Sequence, residues 1–518
     1  MEQITGKNPI IYSDYPDADV IRVEDTYYMI STTMHFLPGG VILRSYDLLH
    51  WEIASYVYES LDDTPGQRLA DGKGIYGKGM WAASIRYHKG TFYVCFVAND
   101  TGKTYLYRSE HIEGPWRKSY IEGFYHDNSI LFDEDGRVYI AYGNREIYIT
   151  ELNEELTAPK EGGLHRMAVK DTGNVILGLE GAHFYKINGK YYLFFIHWPK
   201  DGLRTEACYC ADSLLGEFTG GDVLSSDLDG RCSGTAQGGI VDTPSGDWYA
   251  ILFQDHGAVG RIPVLVPVTW ENDFPVFGEN GKAPKELAVS TEKADYSYEP
   301  LWCNDDFTYV PDGNGKIRLK KPWQWNHTPD ASLWSVTEKP GTFRIRSGKL
   351  STNVCHAGNT LTQRTVGEHC AAEVTLDGSE LRDGDYAGLC ALQGEYGLIA
   401  LTKEKGQYFL VRMKKRKNEE RVWMGSVDTE PGEELVRIPI EENKVTLRMI
   451  CDFSLGKDTA EFFWRTEEEP VWQKLGETHQ LYFCLDHFVG CRFALFLYST
   501  KETGGVAEFT KFVYETEE

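Results

Sequence analysis

Three acidic residues, Asp17, Asp127 and Glu180, stand at equivalent places in a pattern that recurs five times before residue 260. The segments are DADVIRVEDTYYMIST from Asp17, WAASIRYHKGTFYVCFV from Trp81, HDNSILFDEDGRVYIAYG from His126, EGAHFYKINGKYYLFFIHW from Glu180 and AQGGIVDTPSGDWYAILFQD from Ala236. Tyr28, Tyr93, Tyr139, Tyr192 and Tyr249 set them in register, and counting back 11 or 12 residues lands on Asp17, Ala82, Asp127, Glu180 and Gln237. One acid beside a turn is ordinarily a local cap. Three acids aimed into one cavity repel one another unless their charges are used. Such a set can divide proton work: one carboxyl donates, a second activates water, and a third keeps the first protonated.

The elements that must aim them are hairpins. Each copy has a polar entry, an apolar strand, a turn such as Lys89-Gly90, Asp135-Gly136 or Asn188-Gly189, and a second strand opening on an aromatic residue. Outer strands follow at 42–53, 106–118 and 208–220. Three to four strands repeated five times predict an all-β chain beginning with a five-bladed β-propeller. The innermost strands of a propeller converge on its axis, so equivalent positions share one funnel.

NPIIYSDYPDADVIRVEDTYYMIST, GMWAASIRYHKGTFYV, HDNSILFDEDGRVYIAYG and EGAHFYKINGKYYL resemble, in order, the motifs of glycoside hydrolase family 43. The resemblance implies inversion at the anomeric carbon and activity on arabinose or xylose linkages, with no cofactor for catalysis. It casts Asp17 as general base, Glu180 as general acid and Asp127 as the group that orients Glu180 and raises its pKa. Where many members carry a histidine that can hold a calcium ion or water, this chain has Gln237. His256 is a candidate substitute, and Arg261 resembles a cavity arginine that contacts sugar hydroxyls.

Inverting hydrolysis needs an acid on the leaving oxygen and a base on water at the opposite face, with carboxyls about 6.5–9.5 Å apart. A glutamic acid near pKa 4.3 needs roughly 3 kcal/mol of differential interaction to remain protonated near neutrality. A nearby anion and partial burial can supply it. For the sugar pocket, Trp81 at the second axis position is a stacking candidate. His35 and Phe36 after the first hairpin, and Trp198 and Arg204 after the fourth, are placed at its rim.

The repeat stops near residue 290. Residues 1–290 read as the catalytic propeller, 291–301 as a linker and 302–518 as a β-sandwich of alternating strands. WQWNHTPDASLWSVTEKPGTFRIRSG and LFLYSTKETGGVAEFTKF resemble the concanavalin-like domain of one branch of family 43, in which a sandwich loop reaches the propeller mouth. On that pattern Phe488 or His487 borders the leaving-group side, and Asp306 and Glu508 are candidate ligands for a structural calcium.

A formal net charge of -25 disfavours nucleic acid, anionic membranes and strongly acidic substrates, leaving a small neutral oligosaccharide. The N-terminus has no basic and apolar secretion pattern, no run is long enough to span a membrane, and the 11 cysteines lack metal-type spacing. These features point to a reduced, cytoplasmic protein acting on short imported xylan fragments. A non-catalytic glycan-binding propeller is the alternative, one that would not need all three axis acids. Arabinose and xylose both stay open, with Gln237 leaning towards arabinose.

Overall fold

The computed structural model describes residues 2–416 and 427–517. Among them, five four-stranded antiparallel sheets form the blades of a β-propeller. Their innermost strands are Asp19–Val23, Met80–His88, Ser129–Phe132, Val175–Ile187 and Thr235–Asp242. The repeat tyrosines occupy one place in every blade, pairing as Ile21 with Tyr28, Arg86 with Tyr93, Leu131 with Tyr139, Tyr185 with Tyr192 and Val241 with Tyr249. Glu2–Lys7 pairs with Glu286–Thr291, so the two ends of the propeller segment close against each other.

The axis is stitched by one buried ion network. Asp19 of the first blade accepts from Ile85 N–H at 2.7 Å and from Arg86 Nη1 at 2.6 Å, and meets His183 Nδ1 at 2.9 Å. Arg86 also donates to Ser129 Oγ at 2.6 Å. Burial alone would push the Asp19 carboxyl up, but Arg86 and His183 outweigh it and hold it below the usual range. Four blades are thereby locked by charge-assisted bonds. The fifth joins through Gly239 N–H to Ala18 O at 2.9 Å.

After Thr291 the chain runs over the first blade, where Tyr298 OH accepts Tyr46 N–H at 2.9 Å. It then builds two packed sheets, a β-sandwich. Strands such as Lys444–Asp452 alternate between the core and the half-exposed face, as a two-sheet core requires. One sandwich sheet ends on a propeller strand. Phe36–Leu37 pairs with Gln324–Asn326, and Phe36 lies under the Arg492 guanidinium, 3.5 Å from its ring centre. Among the described residues no disulfide joins any of the 11 cysteines; Cys208 and Cys210 alternate along Thr205–Ala211. Among the described residues no helix is long and apolar enough to cross a membrane.

Candidate active site

A cavity of about 90 Å³ opens where the blades converge. Its wall includes Asp17 from the first blade, Trp81 and Ala82 from the second, His126 and Asp127 from the third, Glu180 from the fourth and Gln237 from the fifth. Arg204, Arg261 and Phe488 complete it, with Phe488 supplied by the sandwich. The aiming is done by the backbone. Asp17, Asp127 and Gln237 all take left-handed φ values of 56°, 46° and 60°, a conformation costly for residues with a Cβ and usually kept at functional sites. In the fourth blade Gly181 takes that conformation instead, where a Cβ would stand 2.6 Å from Gln237 Cδ. Register shifts flank Glu180 and fall between Ala236 and Gly239 in the fifth blade, as expected of bulges that redirect side chains.

Each acid has its own partners. Arg261 Nη1 donates to Asp17 at 3.1 Å, while its Nε and Nη2 are buried without a protein partner. Asn144 Nδ2 donates to Glu180 Oε2. His126 Nε2 lies 3.5 Å from Glu180 and 3.6 Å from Asp127. Burial opposes a charged imidazole, but Asp127 and Glu180 prevail and push His126 up to about 9. Asp127 is itself pushed upward, first by burial and then by the charges of Glu180 and Asp17, against the pull of His126. The sequence casts Asp127 as the residue that raises its partner; in the folded chain an upward push falls on Asp127. Donor atoms of His126, Asp127 and Glu180 lie within 4.8 Å of one another, a spacing that could hold a cation.

Trp81 packs edge-on against His126, with centroids 5.7 Å apart. Arg204 pairs with Asp255 and lies 5.1 Å from the Trp198 ring, so Trp198 stands behind the wall rather than in it. Phe488 holds its ring 4.3 Å from the Arg261 guanidinium.

Four expected pocket residues, His35, Phe36, His487 and His256, lie outside the cavity wall. His35 and Phe36 are buried, because the sandwich strand Gln324–Asn326 covers their loop. His35 packs against His327 and Tyr76, and His487 stacks on Tyr76 with centroids 3.9 Å apart. His256 is likewise outside the wall, bonded to Gln254 at 3.0 Å and edge-on to Tyr12, so it does not take up the place of Gln237. In the sandwich, Asp306 is exposed and accepts Thr308 N–H at 2.9 Å, whereas buried Glu508 is balanced by Lys339 and Arg344.

His126 and Asn144 escape the sequence reading as partners of Glu180, although His126 directly precedes Asp127 in the third repeat. Asp14 escapes it too. Its carboxylate accepts Arg261 N–H and Gly490 N–H, both at 2.9 Å, and so clamps a cavity strand to the sandwich loop that carries Phe488.

The model of glycosyl hydrolases family 43 matches residues 6–275, and that of the beta-xylosidase C-terminal concanavalin A-like domain matches 315–515. A beta-xylosidase of Formosa agariphila is 26% identical across 98% of this chain and 90% of its own. A non-reducing end alpha-L-arabinofuranosidase of Bacteroides ovatus is 24% identical across 79% of this chain and 78% of its own. Among solved structures, a bifunctional GH43-CE protein of Bacteroides eggerthii superposes with a TM-score of 0.90 at 39% identity. That match covers 100% of this chain, which spans 64% of that one. A family 43 glycoside hydrolase engineered to display both endo-xylanase and exo-arabinofuranosidase activity gives 0.87 at 27% identity, over 99% and 100% of the two chains.

Proposed function

The chain belongs to glycoside hydrolase family 43, and on that premise we propose that it is an exo-acting, inverting enzyme releasing terminal α-L-arabinofuranosyl or β-D-xylosyl residues from short xylan-derived oligosaccharides. The observation that carries the reading is the separation of partners within one cavity: Asp17 sits on a guanidinium, while Glu180 sits in a cluster of acid, imidazole and amide. A general base works beside a cation, and a general acid works among groups that can exchange protons with it and steady its carboxylate afterwards. Asp17 takes a proton from the water that attacks the anomeric carbon. Glu180 gives its proton to the glycosidic oxygen as that C–O bond breaks. The products are the inverted sugar and the shortened oligosaccharide, and solvent restores both protonation states. Asn144 and His126 then stabilise the Glu180 carboxylate left behind.

A short cavity finished by Trp81 and Phe488 suits one terminal ring and an exo mode of attack. The free donors of buried Arg261 suit sugar hydroxyls. Eleven cysteines with no disulfide among them suit a reducing compartment such as the cytoplasm. The deciding experiment is hydrolysis of defined arabinoxylo-oligosaccharides with the first-formed anomer read by NMR. Inverted arabinose or xylose from the non-reducing ends supports the reading; a retained anomer, or no pentose released, overturns it.

A further inference from the structure

Behind the cavity lies a carboxyl that the hydrolytic scheme does not use. Glu206, in the strand Thr205–Ala211, is fully buried. Its position is set by register: Glu180 pairs with Ile196, and Ile196 pairs with Glu206. Directly paired residues project from the same face of a sheet. The two acids therefore flank Ile196 on one face, their backbones about 10 Å apart at two strand spacings.

Glu206 reaches across to the fifth blade, where Oε2 accepts Gln237 N–H at 2.7 Å. Oε1 is buried and has no partner, and among the described residues no cation pairs with this carboxyl. Burial accordingly pushes it well above the usual carboxylate range. The amide it holds belongs to Gln237, whose φ of 60° is unfavourable for glutamine and needs an anchor. Gln237 in turn packs closely on Gly181, where an added Cβ would stand 2.6 Å from its Cδ, and Gly181 follows Glu180 directly.

We propose that Glu206 is a positioning residue of the hydrolytic site: its carboxyl pins the strand bulge at Gln237, and the pinned bulge fixes Glu180 at the leaving oxygen. The inference rests on the pentosidase reading, with Glu180 as proton donor. It requires an acceptor of the right length at position 206, not a negative charge.

The test compares Glu206→Ala, Glu206→Gln and Glu206→Asp by kcat and KM on xylo-oligosaccharides, together with hydrogen exchange at the Gln237 amide. Loss of the pin in Glu206→Ala is expected to lower kcat about 10- to 100-fold, as small misplacements of catalytic groups do, with KM barely moved. The amide becomes fast-exchanging. Glu206→Gln, neutral and of equal length, restores most of kcat and the amide protection; Glu206→Asp, one methylene short, does not. Wild-type kcat in Glu206→Ala, or in Glu206→Asp where the alanine variant fails to fold, overturns the proposal. So does a Glu206→Gln enzyme as slow as the alanine variant. If the wild type released no pentose, the pentosidase reading would fall by itself, while amide exchange would still report on the pin.

Discussion

The imidazole Nε2 of His126 lies 3.5 Å from Oε2 of Glu180, setting a cation against the carboxyl assigned to proton donation. Burial disfavours that charge, yet Asp127 and Glu180 hold the ring up at about 9, so it is cationic across the neutral range. Three acids can share one cavity because two cations, His126 and Arg261, are interleaved with them.

Replacing His126 by asparagine tests this balance. A neighbouring cation favours ionised carboxyls, so its loss lets the acidic cluster keep its proton to higher pH. The alkaline limb of the kcat/KM profile is expected to move upward, and the maximal kcat to fall as the nascent Glu180 carboxylate loses support. Stability has a definite sign as well. A pKa raised above 6.5 contributes fully below 6.5 and vanishes as pH rises through about 9. The Tm deficit of the variant should therefore be largest in mild acid and shrink above that value.

The division between acid and base predicts opposite sensitivities to the leaving group. Glu180→Ala should slow natural oligosaccharides by about 10²- to 10⁴-fold, the usual span for proton transfer. Nitrophenyl pentosides leave without much protonation and should suffer far less. Asp17→Ala should slow both kinds alike, since water needs the same activation in each. Steady-state kcat on the two substrate series reads the difference, and equal losses in Glu180→Ala would contradict its role.

The Phe488 ring belongs to the sandwich but rests 4.3 Å from the Arg261 guanidinium. Phe488→Ala removes a cation–π contact of about 1 kcal/mol and loosens the arginine that holds Asp17. A several-fold rise in KM is expected, with a smaller change in kcat. An unchanged KM would show that the sandwich contributes no wall to the substrate.

Acid should loosen the junction between the two domains. His35, His327 and His487 are buried there around Tyr76, and burial lowers all three, His487 to about 4. Groups with pKa values depressed below 6.5 contribute stability that is present above 6.5 and lost as pH falls towards the folded value. Urea unfolding at a series of pH values should show ΔG declining between 6.5 and about 4. His487→Phe keeps the stacked ring on Tyr76 and should flatten that decline.

The propeller was legible because its period is written in side chains: each repeat tyrosine pairs at the same place in its blade, and the axis acids follow from counting back. What a period cannot express is contact between repeats. Asn144 ends a second strand of the third blade yet bonds Glu180 of the fourth, and nothing in spacing joins them. His35 and Phe36 lie off the rim for a related reason. A loop after an inner hairpin ordinarily rims the funnel, but here a strand almost 300 residues later covers it, and no local pattern announces that pairing. His256 has the expected residue type, but its ring meets Tyr12 edge-on instead of the cavity.

The shared strand Phe36–Leu37 has a consequence for modularity. A propeller cut free at residue 291 would carry that strand as an open edge, strip Phe36 of its arginine cover and leave Asp14 with half its duties. Open edges invite association with other chains. The catalytic half of this enzyme thus leans on its neighbour: the boundary that separates two folds on paper falls between the last two strands of one sheet, so the two are best expressed and engineered as a unit.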